Sequence, residues 1–278
     1  MVKSRKVIKK IHAEFVSDGA GVKLRRSIGL ENMSYLDPFL LLDAFGSDRA
    51  DDYIAGFPEH PHRGFETVTY MIAGRMRHKD SNGSEGLLLP GGVQWMTAGR
   101  GIVHSEMPEQ EQGEMRGFQL WLNLPAHKKM MSPRYQNLNP ESISEVNIGN
   151  NSKVRVIAGE VSNIKGAITG IFTEPIFLDI HGQTGCEFSP IIPENHACFV
   201  YVYEKFVTVA GQVTEEHELA VLDEGNRVRI EFKKRAKCIL VAAKPLMEPV
   251  SRLGPFVMNT KEEINQAIKD FNSGQFLS

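Results

Sequence analysis

Apolar and polar residues alternate through most of this chain, in runs too short to be helices. The alternation is clearest at residues 118–124, Phe-Gln-Leu-Trp-Leu-Asn-Leu, the pattern of a strand with one buried face. Residues 66–72 are rich in Thr, Val and Tyr, which suit a pleated surface. Residues 15–26 make two extended runs around Asp18-Gly19-Ala20-Gly21, a turn signal. Short strands are also expected at 39–42, 93–97 and 101–106, the last two separated by Ala98-Gly99-Arg100. Composition then changes. Residues 131–151 are rich in Ser, Asn, Pro and Glu with little periodicity, which predicts an inter-domain linker. Strands resume at 154–158, 177–180, 199–203, 206–209, 219–222, 227–232 and 238–242, at the regular short spacing of a sandwich or barrel.

The two ends differ from this pattern. Thr260-Lys261-Glu262-Glu263 reads as a capping box, and Ile264, Ala267, Ile268 and Phe271 follow at helical spacing. One C-terminal helix is predicted, stopping near Gly274, with its apolar stripe used for packing. The basic residues 3–10 read as a solvated edge strand, since edge strands often carry Lys.

At 278 residues the chain is long enough for two domains of similar size. The expected division is 1–135 and 136–278, with the helix in the second part. An apolar content of 41% and a charged content of 24% are ordinary for a globular protein. Lys plus Arg (32) nearly balances Asp plus Glu (34), so the net charge of −2 gives no long-range pull toward nucleic acid or membrane. No apolar stretch approaches the roughly 20 residues that span a bilayer. The basic start lacks an apolar run after it, so no signal peptide is expected. The expected compartment is the cytoplasm, with the nucleus also open to a eukaryotic protein. Cys186, Cys198 and Cys238 lack CxxC spacing and read as reduced, buried residues.

The chemistry concentrates in two triplets, His60-Pro61-His62 and His104-Ser105-Glu106. On a strand, alternate side chains share a face, so each triplet aims two candidate ligands at one point. Three imidazoles and a carboxylate suit a divalent transition metal: iron first, with nickel, copper, manganese, zinc or cobalt as alternatives. Without thiolates, a structural zinc site is less expected. Four protein ligands on an octahedral ion leave two positions for substrate and O₂. Tetrahedral zinc would leave none. Neutral histidines with one carboxylate leave a divalent ion with one positive charge, which an ionised phenol or enol would neutralise. Glu106 is the candidate catalytic base for that hydroxyl proton.

Other residues carry less weight. Glu66 either holds a ligand histidine from behind or pairs with Arg63. Gln119 either approaches the metal or makes a core hydrogen bond, and Phe57 is a candidate pocket wall. His78 and Asp80 lie beside a turn and read as surface groups. His181, His196 and His217 lack paired spacing and read as structural or exposed, which leaves the second half without a metal site.

Residues 56–67 (Gly-Phe-Pro-Glu-His-Pro-His-Arg-Gly-Phe-Glu-Thr) resemble the first motif of the pirin family within the cupin superfamily. Residues 93–106 resemble its second, and 119–125 and 254–260 also match. Gly92 departs from the Asp of many relatives and leaves the ligands intact. The resemblance implies an all-β fold: two stacked cupin barrels (double-stranded β-helix, or jelly-roll) with a C-terminal α-helix, and Fe(II) in the N-terminal barrel. It maps the family's ligands onto His60, His62, His104 and Glu106, with Glu66 behind them.

The resemblance implies two kinds of role. One is quercetin 2,3-dioxygenase activity on a small hydroxylated aromatic substrate with O₂. The other is a non-enzymatic regulator that binds a transcription factor or metabolic enzyme, with iron as a structural or redox-sensing element. No DNA-reading element is evident, so direct nucleic-acid binding is not expected under either. A chain carrying both barrels is expected to be a monomer.

Overall fold

A computed structural model describes residues 2–277. Strands dominate, and the one α-helix among the described residues is Lys261–Asn272. By packing, the chain forms two compact units. The first holds residues 15–140 and the chain from Leu246 onward; the second holds residues up to Glu14 and Glu141–Pro245. This differs from the expected cut at 135/136, because each unit takes a terminal segment from the far end of the sequence. The strand Val7–His12 belongs to the second unit, where it pairs antiparallel with Glu218–Leu222 (Lys10↔Ala220, Ile11↔Leu219). It is the edge strand that its lysines suggested.

The C-terminal helix belongs to the first unit. Thr260 caps it: its hydroxyl accepts from the Glu263 amide at 3.2 Å, and the Glu263 carboxylate accepts from the Thr260 amide at 2.9 Å. Ile264 and Ala267 pack against Phe256, Met258 and Phe276. Phe271, the outer member of the stripe, stays 42% exposed.

Each unit has a seven-stranded and a four-stranded antiparallel sheet. In the first unit the large sheet runs Arg134–Leu138, Val93–Thr97, Phe65–Ala73, Met115–Asn123, Phe39–Ser47, Val22–Ile28, Glu14–Asp18. The small one runs Phe57–His62, Ile102–Pro108, Met76–Asp80, Glu85–Leu88. The units change over between Pro140 and Glu141, inside the expected linker 131–151, but two strands of that stretch are built into the sheets. Arg134–Leu138 lies at the edge of the first unit's large sheet, and Ser144–Gly149 at the edge of the second's. Edge strands tolerate polar residues, which is why the alternation fades there.

The second unit closes over an aliphatic interior. Val154, Val156, Leu178, Val200, Val202 and Leu240 are fully buried, packed against Phe188, Val207 and Phe232 from the small sheet. Each such side chain contributes roughly 1.5–3 kcal/mol through burial. Cys186, Cys198 and Cys238 are free and buried. Burial pushes the Cys198 thiol up to about 12 and Cys238 well above its ordinary value, so neither is a nucleophile. The first unit keeps an apolar core at one end (Met71, Met76, Phe45, Met115) and places polar side chains between its sheets at the other.

Candidate metal centre

His60 and His62 sit on the Phe57–His62 strand, separated by Pro61, so both rings face the interior of the first unit. The Ile102–Pro108 strand runs antiparallel beside it, with His104 directly opposite His60. Register fixed by this ladder brings three rings together. Ring centres are 4.4 Å apart for His60–His104, 4.6 Å for His60–His62 and 4.9 Å for His62–His104. One nitrogen from each lies within 4.8 Å of the other two. Among the described residues this is the one such group.

Hydrogen bonding and burial set the state of the rings. The His60 Nδ1 is held by the Pro58 carbonyl at 2.7 Å, which leaves its Nε2 as the donor atom. His62 and His104 are buried, 3% and 1% exposed. Burial, with the neighbouring histidines, holds both well below the usual histidine pKa. The His62 Nδ1 and His104 Nε2 are buried with no hydrogen-bond partner. Orphaned buried imidazole nitrogens are costly unless something fills the space between them. A divalent cation fits that donor set.

Glu106 follows His104 on the same face, past a bulge in the ladder with the Phe57–His62 strand. Its Oε1 accepts from the Thr69 hydroxyl at 2.7 Å and its Oε2 from the Gln119 amide at 3.0 Å. Thr69 and Gln119 are opposite each other in the large sheet, so the carboxylate is reached from the facing sheet. Gln119 therefore makes a hydrogen bond inside the unit, to the Glu106 carboxylate. Phe57, Trp121 and Gln119 line a cavity of ≈ 610 Å³ with His60, His62 and Glu106. The size and mixed apolar and polar walls suit a small-molecule site. On the same cavity Arg26 grips Asp43 with two bonds of 2.8 and 2.7 Å and reaches Asp18 at 2.7 Å. The two carboxylates hold that guanidinium firmly charged. Arg252 lies 4.8 Å over the Trp121 ring, fixing the aromatic wall.

Two expected contacts are different in the structure. Glu66 is fully buried and accepts from the Thr97 hydroxyl at 2.6 Å; the pairing with Arg63 is not formed. Burial raises its pKa, with Thr97 pulling the other way. Arg63 instead reaches the Arg100 carbonyl, the Asp270 carboxylate at 2.5 Å and the Phe276 carbonyl at 3.3 Å. It thereby ties the end of the ligand strand to the C-terminal helix. His78 is not a surface group: it is 1% exposed, with Nδ1 3.4 Å from Nδ1 of His104 and its ring 4.9 Å from Tyr135. Strand alternation could have found it, since Met76–Asp80 places Met76, His78 and Asp80 on one face. The turn beside it masked that signal.

Gly64 explains the spacing after the second histidine. Its φ is +89°, and a Cβ there would lie 2.0 Å from the Val257 carbonyl oxygen. Only glycine lets the 256–258 strand come that close.

Comparison with known proteins agrees with this construction. The chain is 46% identical over 273 residues to a pirin-like protein of Caulobacter vibrioides, covering 98% of this chain and 99% of that one. It is 44% identical to human pirin, covering 99% and 95%. The crystal structure of a quercetin 2,3-dioxygenase from Acinetobacter baumannii superposes with a TM-score of 0.91 at 36% identity, covering 99% of both chains. The Pirin family profile matches residues 21–122 and the Pirin C-terminal cupin domain profile matches 177–277. The two β units are thus cupin domains, and the chain belongs to the pirin family.

Proposed function

We propose that the protein is an Fe(II)-dependent dioxygenase acting on flavonols such as quercetin. The observation that carries this reading is the meeting of three imidazoles, two with orphaned buried nitrogens, on a cavity that also holds a hydrogen-bonded carboxylate. The likeness to a solved quercetin 2,3-dioxygenase over 99% of the chain supports the reaction class.

In this reading His60, His62, His104 and Glu106 hold the metal. The ion supplies positive charge that lowers the pKa of a bound hydroxyl and, as Fe(II), an electron source for O₂. The protein supplies the rest. Phe57 and Trp121 wall the cavity and orient a planar ring between apolar surfaces. Glu106 would take the substrate's hydroxyl proton at its carboxylate. Thr69 and Gln119 hold that carboxylate in place while its charge changes. Arg26 and Arg252 stand on the cavity wall beside Asp18, Asp43 and Glu59, so the attraction for an ionised flavonol would come from the metal.

The test is direct. Protein loaded with Fe(II) under anaerobic conditions is mixed with quercetin and then with air, and the flavonol absorbance is followed. Loss of absorbance that disappears in His62→Ala is the expected result. No turnover by metal-replete protein would overturn the enzymatic reading and leave the family's other role, a metal-responsive regulator of a protein partner.

A further inference from the structure

The second unit carries a cavity that the metal chemistry does not use. It is a groove of ≈ 880 Å³, well within the range of small-molecule sites. The Glu160–Val161 and Ile164–Lys165 hairpin, the 168–176 loop and the 188–196 segment form its walls. Ile168, Ile171, Phe188 and Ile191 make the lining apolar, and Ile191 is left 67% exposed.

Two polar groups on that lining carry a buried nitrogen without a partner. His196 is 4% exposed, and its Nδ1 is buried with no hydrogen-bond partner. Arg227 has a buried Nε with no partner, and its guanidinium forms no ion pair among the described residues. The acids of the groove are otherwise engaged. Glu174 pairs with Lys244 at 3.2 Å, and Glu160 is the register partner of Lys165 in the hairpin, which brings a cation beside that acid. An unpaired guanidinium and an orphaned imidazole on one apolar groove are unfavourable alone and well suited to an acidic guest with a second polar group.

We propose that this groove is a second, metal-independent binding site for a small hydroxylated aromatic carboxylate. The carboxylate sits on the Arg227 guanidinium, the ring lies against Phe188 and the isoleucines, and the ring hydroxyl reaches the His196 Nδ1. The site is separate from the histidine cluster in sequence and in unit, so it stands whether or not the dioxygenase reading holds.

The probe is 4-hydroxycinnamate, titrated calorimetrically into metal-loaded protein, with backbone amide shifts followed by NMR in parallel. Saturable binding with shifts clustered at 159–196 and 227 is expected. Arg227→Gln weakens it at least tenfold, as loss of a charge-assisted hydrogen bond requires, and leaves flavonol turnover unchanged. His196→Phe removes the preference for 4-hydroxycinnamate over cinnamate. Should Arg227→Gln not fold, the methyl ester of the probe on unmodified protein decides: it is expected to bind at least tenfold more weakly. Shifts clustered around His60 and His104, or equal affinity for acid and ester, would overturn the proposal.

Discussion

Gln119 donates to Glu106 across 3.0 Å, from the large sheet to the small one. The bond joins two residues that the sequence offers separately, one on an alternating strand and one beside a histidine. With Thr69 on the other oxygen, it leaves the carboxylate little freedom to rotate. Oriented ligands bind metals better than mobile ones, because less order is lost on coordination.

Gln119→Leu therefore weakens metal binding by about 10–100-fold while the fold persists. Metal titration followed by equilibrium dialysis checks this. Unchanged affinity would mean that Glu106 does not coordinate the ion. Glu106→Gln separates the two roles assigned to that residue: retention of both metal and full turnover would exclude it as ligand and as base.

Metal should also stabilise the fold. A ligand present at 100 times its Kd adds about 2.7 kcal/mol when it binds only the native state. Thermal melts with and without Fe(II) or a chelator are expected to separate accordingly. The separation should vanish in His104→Ala, which removes one of the three clustered rings.

Lys129 gives a pH prediction. Its ammonium is buried and donates to the Gly64 carbonyl at 2.8 Å, Asn123 Oδ1 at 2.6 Å and the Val257 carbonyl at 3.0 Å. Burial pushes its pKa down to about 7, with Glu248 and Glu263 pulling upward, from 10.5 when exposed. Between those values the unfolded chain binds more protons than the native one, so this group makes stability rise with pH there. Lys129→Met should flatten that slope in denaturant titrations. It should also cost about 1–3 kcal/mol by leaving buried acceptors unsatisfied.

Arg63 and Asp270 latch the C-terminal helix to the ligand strand. The Arg63 guanidinium, followed by Gln266, holds the Asp270 carboxyl below its usual range. That contribution is present above the ordinary carboxylate pKa and is lost as pH falls through the lowered one. Asp270→Ala is expected to cost about 1–3 kcal/mol. It should speed amide exchange across 261–272 more than across the second unit. Uniform exchange would show that the helix is held by its apolar face alone.

Several features were legible in the chain because they depend on neighbours in sequence. Period two put His60 with His62 and His104 with Glu106. The capping box of Thr260 and Glu263 formed as written, because both partners lie within one helical turn. The alternation at 118–124 placed Gln119 on one face and Leu120 on the other; the structure buries Leu120 completely and leaves Gln119 on the cavity.

What only the tertiary structure decided involves residues far apart in the chain. Pairing of Lys10 with Ala220 sent the N-terminal strand to the second unit, and Arg63 with Asp270 kept the C-terminal helix in the first. Burial of His196 with an orphaned nitrogen was equally invisible. Strand periodicity fixes which way a side chain points, whereas long-range hydrogen-bond ladders fix what it meets. Those ladders are specified by the summed packing of both sheets rather than by any short stretch of sequence.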